Sequence, residues 1–112
     1  GITHGVMVGV YQAQGSNLRS KTQAYVNETL QGNSYLQQNG SLVSRNLGGR
    51  NGYTAQMSGR SPVTGRTEVV TIYTTQLRNG QLFYVVTVVP GDESYNYSNA
   101  FRNILNSVQL ND

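Results

Sequence analysis

Few side chains in this sequence belong to types that carry out chemistry. There is one histidine, His4, no cysteine, and five carboxylates spread over 112 residues. A zinc centre needs several nitrogen, sulfur or carboxylate ligands brought together, and acid–base catalysis needs a positioned proton carrier of suitable pKa. His4 has no second histidine and no cysteine to join it, so it reads as a structural or solvated side chain beside the first strand. Serine and threonine are abundant, but a nucleophilic serine needs a base and an oxyanion hole. Neither a Gly-x-Ser-x-Gly elbow nor a His-Glu-x-x-His helix is present. Asp92 and Glu93 are adjacent, so their side chains diverge; they are read as helix-capping groups that favour the N-terminal end of the helix dipole. Gly48-Gly49-Arg50-Asn51-Gly52 has a superficial likeness to a phosphate cradle, but it lacks the Gly-Lys-Ser/Thr ending and reads as a hairpin loop between strands.

What remains is binding chemistry. Arg60 and Arg66 flank the turn Pro62–Gly65 and are expected to lie near one another; with Arg45 or Arg50 they would make an anion-binding patch, the alternative being scattered solvated arginines. Tyr95 and Tyr97 open the last helix, and tyrosine supplies contact area at little entropic cost. Arg45, Arg50, Arg60, Arg66, Tyr95 and Tyr97 are therefore the candidate partner-binding surface. The other six tyrosines read as sheet and core packing. Net charge is +3 with no run of like charge, too thin a basic surface for nucleic acid even with interleaved aromatics. No catalytic residue, metal or cofactor is expected in this stretch.

The elements that must position these residues follow from periodicity. Val6, Val8 and Val10 alternate with Met7, Gly9 and Tyr11, a strand of period two. Ser16 or Asn17 starts a helix over Leu18–Gln31, whose apolar face holds Leu18, Tyr25, Val26 and Leu30 and which stops at Gly32. Residues 33–40 form a polar connector; 41–47 and 53–60 are strands. Glu68–Leu77 and Gln81–Val89 are apolar or threonine-bearing on both faces, as strands in mid-sheet are, and Asn79-Gly80 predicts a type I′ hairpin turn between them. Tyr97, Phe101, Ile104, Leu105 and Val108 mark an amphipathic closing helix. The predicted order is β-α-β-β-β-β-α: one α+β domain over residues 1–112, an antiparallel sheet flanked by two helices.

The hairpin Thr71–Val86 and the helix Tyr97–Leu110, with its Phe101-Arg102-Asn103-Ile104-Leu105-Asn106-Ser107 segment, carry a resemblance. Together with Thr3-His4-Gly5 they resemble the C-terminal domain that follows the protease in some bacterial zinc metalloproteases of the CAAX-prenyl-protease-like, HExxH-containing family. The element order is also similar to the PsbP-like α/β/α sandwich, whose closing helix ends in a Phe-x-x-Ile/Leu-x-x-Ser pattern. The resemblance implies an exported, non-catalytic accessory domain; the family's catalytic helix and third zinc ligand would lie upstream of Ile2.

Charged residues are only 12% of the chain, with Asn, Gln, Ser and Thr supplying the polarity. That composition favours a periplasmic or secreted protein. No stretch reaches the roughly 18 apolar residues of a membrane span. The start at Gly1-Ile2 without Met reads as a fragment, Gly1 being a tag-cleavage scar and an upstream domain being covalently linked. The leading expectation is an accessory domain that binds a protein or peptide partner. The alternative is a free-standing PsbP-like module for a small ligand or protein, and the third reading is a small enzyme using Tyr, Arg and His4.

Overall fold

Two long runs rich in valine, threonine and aromatic residues dominate the second half of the chain, and they form the middle of a sheet because such side chains suit a pleated surface covered on both sides. The structure, a computed structural model, describes residues 5–112. The elements are β1 (Gly5–Tyr11), α1 (Leu18–Gly32), β2 (Gln37–Gln38), β3 (Val43–Ser44), β4 (Gly52–Arg60), β5 (Thr67–Gln76), β6 (Leu82–Pro90), a 3-10 turn at Gly91–Glu93, and α2 (Ser94–Asn106). The strands make one antiparallel six-stranded sheet in the order β1-β6-β5-β4-β2, with β3 also on β4. The domain is α+β, with β5 and β6 central.

Register sorts the side chains onto two faces. Ala55, Met57, Val70, Ile72, Val86 and Val88 share one face and pack against Val26 of α1. Thr22 of α1 reaches the same layer, its hydroxyl 2.7 Å from that of Thr74. Val85 lies on the other face and packs with Leu47 and Leu105 of α2. The helices therefore cover opposite faces. At the start of α1 the Asn17 carboxamide oxygen accepts from the Ser20 amide at 2.8 Å, while the Ser20 hydroxyl accepts from the Asn17 amide at 3.1 Å. This reciprocal cap satisfies amides that have no partner within the helix.

Three details differ from the sequence expectation. Five strands follow α1 instead of four, because β4's outer edge is covered by two short pieces: Gln37–Gln38 opposite Ser58 and Met57, and Val43–Ser44 opposite Thr54 and Tyr53. The first of these lies in the segment expected to be only a connector. Secondly, no non-glycine residue among the described ones has positive φ, so Asn79 does not occupy a type I′ turn. Gly80 alone has φ +90°, and Leu77 and Gln81 close a three-residue loop through Leu77 N–H to Gln81 C=O at 2.9 Å. This is the bulged hairpin in which one glycine takes the left-handed position. Paired positive φ occurs instead at Gly48 (+62°) and Gly49 (+77°), where Leu47 and Arg50 exchange backbone hydrogen bonds. Thirdly, neither Asp92 nor Glu93 caps α2: Glu93 occupies the cap position without a side-chain hydrogen bond. Both carboxylates turn to Arg66 instead.

Candidate binding groove

The α2 face of the sheet is less apolar than the α1 face. On β5 the alternate residues are Val69, Thr71 and Tyr73, all half-buried, against the buried Val70, Ile72 and Thr74 of the other face. On β4 the corresponding position is Gln56, which is exposed. These residues are only partly covered because α2 packs mainly over β6: Leu105 is buried, Phe101 half-buried, and nearly every earlier residue of the helix is exposed. The result is a groove of about 260 Å³ between α2 and the β4–β5 half of the sheet.

Val69, Thr71 and Tyr73 form its floor, and Ser98, Phe101 and Arg102 contribute from the helix. Arg45 enters from the opposite side, its guanidinium carbon 5.1 Å from the centre of the Tyr73 ring. Burial pushes the Tyr73 hydroxyl above its usual pKa, and the Arg45 charge acts against that rise. Phe101 is stacked by Tyr97 at 5.7 Å between ring centres. Among the described residues no carboxylate lines the groove. Two guanidinium groups over aromatic and aliphatic surface favour an anionic, partly apolar occupant: the rings and valines take the apolar part, and the arginines can hydrogen-bond a carboxylate in bidentate fashion.

A larger hollow of about 840 Å³ lies beside the start of α1, lined by Arg19, Arg50, Tyr53 and several asparagines. Arg50 there is already held by the Asp112 carboxylate and donates to the Gln76 carbonyl at 3.3 Å. Arg19 stacks on Tyr53 at 5.7 Å. With one of its two cations neutralised by Asp112, this hollow is the weaker anion-recognition surface of the two.

The four arginines singled out from sequence do not make one patch. Arg45 and Arg50 precede β4, whereas Arg60 ends it and Arg66 follows in the next loop. A nine-residue strand separates the two pairs by about 27 Å. Arg60 and Arg66 are close in the chain's turn, where the Ser61 amide bonds the Arg66 carbonyl at 2.9 Å. Arg66, however, is engaged by Asp92 at 2.9 and 3.1 Å and by Glu93 at 3.7 Å. Tyr95 is 88% exposed, while Tyr97 lies against Phe101. Arg45 alone of the six lines the groove. Arg102, Tyr73, Phe101 and Thr71 were not anticipated there; the signal available was the half-polar alternation on β5 and β4, which marks a sheet face left partly open.

Among the described residues no three His, Asp or Glu side chains converge as a metal cluster, and no helix is long and apolar enough to cross a membrane. His4 lies outside the described residues. Compared with models of known protein families and with curated proteins, the chain matches none.

Proposed function

We propose that this chain is a non-catalytic binding domain whose groove between α2 and the sheet holds an acidic, partly apolar segment of a protein or peptide partner. The observation that carries this reading is the pairing of Arg45 and Arg102 over an aromatic and aliphatic floor with no carboxylate beside them among the described residues. Tyr and Phe supply area without costly ordering, and the uncompensated positive charge selects the sign of the ligand. The parent we propose is an exported bacterial protein, a zinc metalloprotease by the resemblance of the hairpin and closing helix, in which the domain would hold substrate or a partner near the protease.

The small size of the groove, about 260 Å³, favours a second reading at the same place: a free-standing module for a small apolar carboxylate. NMR titration separates the two. A short peptide alternating Asp and Phe is expected to shift the amides of Thr71, Tyr73, Ser98 and Arg102, and the double variant Arg45→Glu, Arg102→Glu is expected to reduce that response tenfold or more. Shifts produced by phenylpropionate but not by the peptide favour the small-ligand module. Unchanged binding in the double variant removes the groove from consideration. The parent is tested by reading the native frame upstream of Ile2: an in-frame HExxH helix supports the accessory domain, and a signal peptide directly before Ile2 supports the free-standing one.

A further inference from the structure

The two edges of the sheet are built very differently. Unshielded edges invite pairing with other strands, and proteins usually protect them with charge, proline, bulges or very short strands. The β4 edge is protected in this way, since the strands outside it are two residues long and mostly polar. The β1 edge is not. Gly5–Tyr11 carries no charged residue and no proline, and among the described residues it pairs only with β6, over its full seven residues on one side. Three of its side chains are exposed: Met7 at 44%, Val8 at 59% and Val10 at 49%.

The pattern of those residues identifies what would cover them. Antiparallel pairing of β1 with a second β1 about a two-fold axis through Val8 sets Val8 opposite Val8, Val6 opposite Val10, Met7 opposite Gly9 and Gly5 opposite Tyr11. Every opposed pair is free of like charge, and the valines meet valines on one face. Val8 and Val10 are in register with Val85 and Phe83, which places that valine ridge on the α2 side of the sheet. On the other face Gly9 has no side chain because the hydroxyl end of Tyr84 lies over it, so the partner's Met7 would meet the Tyr84 ring. A two-fold axis perpendicular to the sheet also keeps both copies of α2 on one side. Tyr97 and Ile104, 41% and 37% exposed, lie about 100° around α2 from the groove-lining Ser98 and Leu105.

We infer that β1 is a self-association edge, and that two copies of this chain join through it into one continuous sheet with a Val8–Val8 centre. One pair of seven-residue strands buries less than the 1,200–2,000 Å² of roughly standard stable complexes, so the dimer is weak and concentration-dependent. This inference is independent of the groove.

Sedimentation velocity from micromolar to millimolar protein tests it. The expected result is a shift from 12.3 kDa toward twice that mass as concentration rises. Val8→Lys and Val8→Glu, each checked for folding by circular dichroism, are expected to remain monomeric alone because like charges then oppose across the axis. Their equimolar mixture is expected to associate again, since residue 8 of one copy faces residue 8 of the other. Val63→Lys, in a loop far from β1 and at an 82% exposed site, is expected to leave association unchanged. A protein that stays monomeric throughout, a dimer that survives Val8→Lys, or a charge-swapped mixture that fails to associate overturns the inference.

Discussion

Tyr35 shows how one side chain links a loop to the sheet. Its hydroxyl donates to the Glu68 carboxylate at 2.8 Å, and Glu68 is 2% exposed near the start of β5. Burial first, and the bond to Glu68 second, push the Tyr35 phenol up to about 12. Burial also pushes up the Tyr25 phenol, stacked on Tyr84 at 4.5 Å. Both shifts have the same sign: the folded state holds the proton more tightly than the unfolded chain, so the stabilisation is complete below about pH 10 and is lost as pH rises toward 12. Replacing Tyr35 with Phe removes a donor from a buried carboxylate and is expected to cost about 1.5–3 kcal/mol in urea unfolding at neutral pH. Across pH 10–12 the wild-type protein should lose stability more steeply than this variant. None of this was legible beforehand, because Tyr35 and Glu68 are 33 positions apart and no spacing rule joins them. The arginines failed for a related reason: nearness in sequence located Arg60 by Arg66, but only the length of β4 decides that Arg45 and Arg50 lie at its other end.

At the scale of elements, periodicity was informative wherever a face is buried. The bounds of α1, β1 and the β5–β6 pair follow from apolar spacing and β-branched runs, and the structure agrees with them closely. Segments held by backbone pairing alone carried no such pattern, and Gln37–Gln38 became a strand only because β4 offered it an edge. Turn chemistry was half legible. The dipeptide Asn79-Gly80 located the hairpin, yet the choice between a two-residue and a three-residue loop is made by the register of Leu77 and Gln81. The difference has a measurable consequence. Gly80→Ala is expected to cost about 1–2 kcal/mol because an L residue must adopt φ near +90°. Asn79→Gly should also destabilise the protein, since Asn79 accepts from the Gln81 amide at 2.9 Å and does not itself need positive φ. Equal stability of Asn79→Gly and wild type in thermal unfolding would contradict this loop geometry.

For the whole molecule, the α+β class and two-helix cover were legible, while the groove was not: α2 has the apolar periodicity of a fully docked helix, but only Leu105 is buried. The C-terminal segment fastens three parts of the fold. Leu110 and Val108 pack over Gly48, and the Asp112 carboxylate takes hydrogen bonds from Arg50 and, at 2.6 Å, from the Arg78 amide. Those bonds, from Arg50 first, hold the Asp112 carboxyl well below the usual range. A depressed carboxylate stabilises the fold above about pH 4 and loses that contribution as pH falls. Asp112→Asn is therefore expected to lower the melting temperature slightly at neutral pH and to match wild type more nearly in acid or high salt, because the site is solvent-exposed.

Among the described residues, the first strand of the sheet is paired with the last alone. Val8 is matched to Val85, so during synthesis β1 leaves the ribosome long before the strand that receives it exists. The β4–β5–β6 meander closes through short loops and can form early, whereas β1 must wait for the longest-range pairing in the molecule. An uncharged apolar segment is thus left waiting while the rest of the chain is made. A rearranged chain in which these seven residues followed β6 through a tight turn would convert that slow closure into a local hairpin and fold faster into the same sheet.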